Sequence, residues 1–449
     1  MERTNDPQAK AALLASDRAH VFYPWSAQAN LSPMAIAAAE GSWVADYDGN
    51  EYLDLSCQLV FTNIGHQHPV VIEAIKAQAD RLCTISPAHA NDVRAEAASL
   101  IVRHAPERFS HVFFTNAGTE AVEHAVRMAR VHTGRPKVLS RYRSYHGGTY
   151  LSVNLTGDTR RFPTDTGTAG VAHFFGPFLY RSEFHAVDEA EECARALEHL
   201  ERTIQMEGPE TIAAVILESI PGTAGVMVPP EGYLAGVRAI CDTYGIVWIA
   251  DEVMSGFGRS GQWFALDRHG ARPDLITFAK GVNSGYVPLG GVLISEEIAS
   301  TFAERTYPGG LTYSGHPLAC AAAVATIRLM EDEGIIEHAR RIGDEVLRPG
   351  LLALAERHLV IGEVRGEGVF FALDLVTNRA TRAELAPYGG TSPAMAELTA
   401  AMKANGLLPF TNYNRLHVLP PCTITEEEAH EALRRLDASL KAIAGHYEG

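Results

Sequence analysis

Short apolar runs, each closed by Gly, Pro or one ionisable residue, recur through the first two thirds of the chain. Ile212–Leu217 stops at Glu218, Ile246–Ala250 at Asp251, and Leu275–Ala279 at Lys280. Continuous apolar runs of this kind read as strands buried on both faces of a parallel sheet. His111–Thr115 and Pro136–Arg141 read as further strands. Between them Val122, Ala125, Val126 and Ala129 recur at helical spacing until Gly134 and Pro136 end the helix. Another amphipathic helix starts near Pro69, and a polar, partly helical lead fills residues 1–24. Gly41–Leu55 alternates and turns at Asp48-Gly49, a strong hairpin signal. Thr156–Tyr180 has no period and reads as a long loop bordering a substrate entrance. Beyond Met330 come charged amphipathic helices, the strand-like stretch Glu363–Leu373, a last strand near Arg415–Leu419, Pro420-Pro421, and a final helix from Thr425. The whole predicts an α/β chain with a smaller α+β unit at its end.

Strand ends carry the chemistry. Four strands deliver Gly118, Glu218, Asp251 and Lys280 to one edge, and ligands of open α/β sheets sit beyond the carboxyl ends of the strands. A carboxylate and an amine delivered there suit an aldehyde cofactor with a ring nitrogen, which is the description of pyridoxal phosphate. Asp251 would hold the nitrogen protonated, and the protonated ring is an electron sink. Gly118 opens a helix, where backbone N–H groups and the helix dipole favour an anion. Taken singly, each feature has a plainer reading: a salt bridge at a strand end, or a helix cap.

The wording around the pair is more specific. Asp251-Glu252-Val253-x-x-Gly256-Phe257-Gly258-Arg259-x-Gly261, Pro273-Asp274-Leu275-Ile276-Thr277 and Ala279-Lys280-Gly281 closely resemble the signature of class III aminotransferases. The resemblance implies a pyridoxal-phosphate transferase of fold type I, with a large, mostly parallel seven-stranded domain flanked by helices and a smaller α+β domain. The corresponding division is residues 1–65 as an N-terminal segment serving the small domain and substrate site, 66–330 as the cofactor domain and 331–449 as the small domain. By resemblance Lys280 is the Schiff-base lysine, Asp251 the ring-nitrogen partner and Val253 the residue under the ring. Gly118 and Thr119, in Asn116-Ala117-Gly118-Thr119-Glu120-Ala121, take the phosphate role. Tyr145, in Tyr145-His146-Gly147-Gly148, stacks on the other face of the ring. Glu218, in Glu218-Ser219-Ile220-Pro221-Gly222, orients polar groups near the ring, and Thr312 contacts the phosphate of a neighbouring subunit's cofactor, which implies a homodimer. Trp25, Leu59 and Val60 are expected to line the substrate pocket. Many members place a mobile arginine shortly before the Pro-Pro pair. Here that position holds Phe410, so Arg415, Arg161 or Arg181 is the candidate for a substrate carboxylate.

The segment Ala279–Gly291 most resembles the ω-amino acid or amine:pyruvate branch. The expected reaction moves an amino group from such a donor to pyruvate or another small keto acid. The same fold also serves glutamate-1-semialdehyde aminomutases and dialkylglycine decarboxylases, which would show internal transfer or carbon dioxide release. A nicotinamide-dependent dehydrogenase is raised by Gly256-x-Gly258-x-x-Gly261, but Asp251 and Glu252 separate these glycines from the strand and Gln262-Trp263-Phe264 is a poor helix start. A non-catalytic binding protein is disfavoured by the intact Lys280 and Asp251.

Composition narrows the partners. The 38 basic against 54 acidic residues give a net charge of −16, which disfavours nucleic acid or an anionic membrane. Six cysteines, at 57, 83, 193, 241, 320 and 422, are scattered without a C-x-x-C pair, as in a cytoplasmic protein with reduced thiols. His66 and His68 form an H-x-H, read as capping or packing rather than as a metal pair. No signal peptide or membrane span is legible.

Overall fold

The computed structural model describes residues 6–164 and 170–449. Its centre is a seven-stranded sheet: β1 (Phe109–Thr115), β2 (Lys137–Arg141), β3 (Val171–Phe174), β4 (Ile212–Glu218), β5 (Val247–Asp251), β6 (Leu275–Phe278) and β7 (Gly290–Ser295). The spatial order is β1-β7-β6-β5-β4-β2-β3. Pairs from β3 through to β6 are parallel, and β7 runs antiparallel between β6 and β1.

Every residue of β4, β5, β6 and β7 is buried, because helices cover both faces of the sheet. The apolar runs therefore lack alternation in composition, yet the strand period of two survives in what each side chain meets. Ala214, Ile216, Val247 and Ile249 pack under Val122, Ala125, Val126 and Ala129 of helix α1 (Gly118–Thr133). Their neighbours Val215, Leu217, Trp248 and Ala250 point into the larger cluster on the opposite face. Gly134, at φ 69°, ends α1 in the left-handed conformation that glycine adopts without a steric penalty.

Two further sheets flank this core. The predicted hairpin forms, with Trp43 opposite Leu53, and its second strand also pairs in parallel with Leu407–Leu408. N-terminal residues are thereby tied to the C-terminal part of the chain. The other sheet is antiparallel and contains Ile361–Glu367, Phe370–Asn378, Arg415–Val418 and Phe410–Asn412, with Ala383–Glu384 along one strand. Thr425 caps the final helix, as its sequence predicts.

One reading needs correction. Thr156–Tyr180 is not a structureless loop: it holds a 3₁₀ turn at Thr159–Thr164 and the edge strand β3, while residues 165–169 lie outside the described residues. β3 is a partly buried edge strand of four residues, too short for a period to register. The glycines of Gly256–Gly261 lie in turns, and no α-helix follows them, which removes the dinucleotide fingerprint. His66 Nε2 donates to Asp54 Oδ2 at 3.1 Å. Among the described residues no helix is long and apolar enough to cross a membrane.

Candidate active site

Parallel register places Glu218 beside Asp251 and Asp251 beside Thr277 at the carboxyl edge of the sheet. Two residues past β6 the chain turns through Lys280 at φ 48°, which brings its amine to the same edge. Both carboxylates are almost fully buried and are held by fixed donors. Asp251 accepts from His146 Nδ1 at 2.7 Å and from the Val253 amide at 3.1 Å. Glu218 accepts from the amides of Tyr145 at 2.8 Å and Gly222 at 2.9 Å. Burial pushes the Glu218 carboxyl up, with the neighbouring Asp251 adding to the shift and His146 opposing it.

Burial also lowers the pKa of the Lys280 ammonium, while Asp251 and Glu218 pull it back up. The net direction favours the neutral amine, the nucleophilic form.

The rim is built where three loops close on one another. Gly118 begins α1, and a Cβ there would stand 2.7 Å from Val253 Cγ1. A Cβ on Gly147 would meet Thr119 Oγ1 at 2.3 Å. Thr119 Oγ1 lies 2.7 Å from Ser152 Oγ and 2.9 Å from Thr149 Oγ1, and it accepts from the amides of Gly148 and Thr149, each at 3.2 Å. Gly118 and Gly147 are thus required by close approach, and the resulting cradle carries backbone N–H groups at a helix N-terminus.

These residues line a cavity of about 790 Å³. Lys280, Asp251, Glu218, Tyr145, Val253, Gly118 and Thr119 all face it, as do Trp25, Leu59 and Val60. Thr312 does not: it is exposed and lies outside the cavity. His146, which fixes one Asp251 oxygen, carried no assigned role in the sequence although it sits inside the Tyr-His-Gly motif.

The arginine assignment changes. Arg415 is buried behind the cavity, with its Cζ 5.4 Å from the Tyr413 ring, and burial pushes its guanidinium down to about 10. Arg181 is committed to Asp374 at 2.8 Å, and Arg161 lies over Tyr142 at 5.7 Å; neither lines the cavity. The guanidinium that does is Arg160, 3.7 Å from the Tyr145 ring. Asp158 grips its Nε through both oxygens at 3.1 and 2.9 Å, and Thr223 Oγ1 accepts from its Nη2 at 3.1 Å. Two adjacent arginines share this 3₁₀ turn, and only its packing determines which one faces inward. Phe410 lines the cavity as an apolar wall packed on Val60, Ile220 and Met254.

Comparison with known proteins identifies the family. The family described as "Aminotransferase class-III" matches residues 25–440. A taurine:2-oxoglutarate aminotransferase of Bifidobacterium kashiwanohense, solved in complex with PLP and glutamate, superposes with a TM-score of 0.95 at 41% identity, covering 98% of this chain and 99% of that one. A putrescine–pyruvate aminotransferase of Pseudomonas aeruginosa is 38% identical over 77% of this chain and 78% of its own. A 5-aminovalerate aminotransferase from the same organism is 34% identical over 92% and 95%. The chain belongs to the class-III aminotransferases, and it is a pyridoxal 5′-phosphate-dependent enzyme of fold type I that carries out transamination.

Proposed function

We propose that the amino donor is an ω-amino acid or amine, with preference for donors bearing an anionic group remote from the amine, and that the acceptor is pyruvate or a similar small keto acid. The observation that carries this reading is Arg160, a cation fixed by Asp158 on the wall of the cavity that holds Lys280. With Nε held by Asp158 and Nη2 bonded to Thr223, the Arg160 guanidinium presents Nη1 as a charge-assisted donor to a carboxylate or sulfonate. The names of two relatives, with taurine and 5-aminovalerate as donors, support the anionic tail, and a third, with putrescine and pyruvate, supports the wider amine class and the acceptor.

Bound here, pyridoxal 5′-phosphate supplies an aldehyde that takes up the amine and a ring that delocalises the electron pair left when the donor carbon loses its proton. The residues present fit it. Lys280, half-buried and shifted toward the neutral amine, would hold the aldehyde. Asp251 would face the ring nitrogen, kept in place by His146 and the Val253 amide. Gly118 and Thr119 would hold the phosphate at the cradle that a Cβ on Gly118 or Gly147 would fill. Tyr145 and Val253 would close the two faces of the ring, and Glu218 would orient polar groups beside it. Lys280 Nζ, at the carboxyl edge of the sheet beside Asp251, would serve as the base that moves the proton of the donor carbon. Val60 and Phe410 form an apolar wall of the cavity, and Trp25 and Leu59 stand at its exposed side.

The molecule is read as a cytoplasmic homodimer in which exposed Thr312 serves the partner's phosphate, with residues 1–65, 66–330 and 331–449 as its working divisions. The six free cysteines support a reducing compartment.

The test is the single half-reaction, followed by visible absorbance with taurine, β-alanine, putrescine or 1-phenylethylamine and no acceptor. Taurine and β-alanine should react with the wild type. Arg160→Leu should cost them about 100-fold in kcat/KM, on the order of 3 kcal/mol for a truncated charge pair, while the uncharged-tail donor 1-phenylethylamine stays within about threefold. A uniform loss across all four donors would defeat the anion-recognition reading.

A further inference from the structure

The wall segment Ser56–Phe61 is held in a conformation its own residues disfavour. Cys57, Gln58 and Val60 all have positive φ, at 47°, 58° and 61°, and none is glycine. Gln58, with ψ −109°, lies outside even the left-handed helical basin. Such a backbone persists only where its surroundings over-determine it. Two buried groups do so here.

The first is Asp54, whose side chain is fully buried. Its Oδ1 accepts from the Ser56 amide at 3.0 Å and from Ser56 Oγ at 2.6 Å. Its Oδ2 accepts from the Gln58 amide at 3.3 Å, Gln58 Nε2 at 2.9 Å and His66 Nε2 at 3.1 Å. One carboxylate therefore holds the first half of the strained turn, at Ser56 and Gln58. The second is Arg259, fully buried, whose Nη2 donates to Cys57 Sγ at 2.7 Å and Asn63 Oδ1 at 2.8 Å, while its Nη1 is fixed on the Pro420 carbonyl. The turn ends against Phe61, which packs so closely on Gly285 that a Cβ there would stand 2.4 Å from the ring.

We propose that Asp54 is a positioning residue for the amino donor: by holding the Ser56–Phe61 turn, with Arg259 as its second anchor, it sets the placement of Leu59 and Val60 and through them the affinity for donor. This rests on the reading that Leu59 and Val60 wall the donor's side of the cavity. Asp54 itself does not line the cavity, so its action runs entirely through the turn. In Asp54→Asn the amide NH₂ meets a donor whichever way it turns, the Ser56 amide on one side or the Gln58 amide on the other, so the turn loses its clamp without losing volume.

The experiment uses the holoenzyme of Asp54→Asn and, since that core substitution can impair folding, of Gln58→Leu, which keeps the strained Cβ and deletes only the half-buried amide bond to Asp54. Two quantities are read: amide hydrogen exchange at residues 57–61, and KM against kcat for taurine, β-alanine and 1-phenylethylamine. Exchange should speed at least tenfold, and donor KM should rise about tenfold in Asp54→Asn and about threefold in Gln58→Leu. In both variants kcat should move less than KM, and the visible absorbance should be unchanged. Replacing Gln58 with Gly in the Asp54→Asn background should recover part of the lost KM, because glycine adopts that φ and ψ without strain. Unchanged exchange in both variants overturns the clamp. Faster exchange with unchanged KM overturns the proposal through its premise, by removing Leu59 and Val60 from the donor wall.

Discussion

At the scale of single residues, the site depends on close approach as much as on charge. Lys280, Asp251 and Glu218 were legible because each closes an apolar run, and strand polarity alone puts such residues at one edge. His146 and Arg160 were not, since neither stands at a strand end: His146 gains its role from the distant Asp251, and Arg160, held by its neighbour Asp158, is turned inward by packing against Tyr145 and Thr223. Gly118 shows the same division. Its position at a helix start suggests an anion site, but its contact with Val253 comes from folding. In Gly118→Ala the new Cβ would stand 2.7 Å from Val253 Cγ1, so the cradle or the ring-facing Val253 must shift. Titration of the apoenzyme with pyridoxal 5′-phosphate should show affinity about 10-fold weaker, roughly 1.4 kcal/mol. Wild-type affinity in that variant would separate Gly118 from the phosphate role.

At the scale of elements, helices at the chain end are fastened by charge in a way that pH can read. Helix α2 (Arg348–Arg357) meets helix α3 (Glu426–Leu440) through Asp437, which accepts from His358 Nε2 at 3.0 Å and Arg357 Nε at 3.1 Å. The His358 bond, with the bonds from Arg357 and Lys441, holds the Asp437 carboxyl down to about 2 against partial burial. A depressed carboxylate stabilises the fold above its unfolded pKa and loses that contribution as pH falls through the folded value. The window is therefore from about pH 4 down to about pH 2. Urea unfolding should show Asp437→Asn less stable by about 0.5–1 kcal/mol above pH 5, a figure kept small by solvent screening. About half of that gap should remain at pH 3. A gap that widens on acidification would contradict the assignment. Edge strand β3 went unread for a related reason: with one long side open to solvent, its residues carry no sustained apolar period.

At the scale of the whole molecule, the cavity is assembled from distant parts of the chain. Trp25, Leu59, Lys280 and Phe410 line one space although hundreds of residues separate the first from the last. Thr312 lies outside it and exposed, a placement that suits a role across a subunit interface. Sedimentation of the holoenzyme at micromolar concentration should give a dimer. Thr312→Ala should remain dimeric while its cofactor affinity falls about fivefold, on the order of 1 kcal/mol for a lost hydrogen bond. A monomeric, fully active holoenzyme would rule out the shared site.

The sequence by itself determined five strands of a mostly parallel, doubly covered sheet, the positions of their ends and the residues that stand there. Apolar runs, helical periods and glycine stops are local signals, and strand polarity converts them directly into a common edge. Only the tertiary structure decided which arginine reaches the cavity, that Phe410 forms an apolar wall, and that Asp54 and Arg259 hold a strained turn. Those outcomes depend on which of two neighbouring side chains turns inward and on buried donors meeting acceptors far along the chain. Sequence spacing encodes neither, because both are settled by packing between elements after the elements themselves have formed.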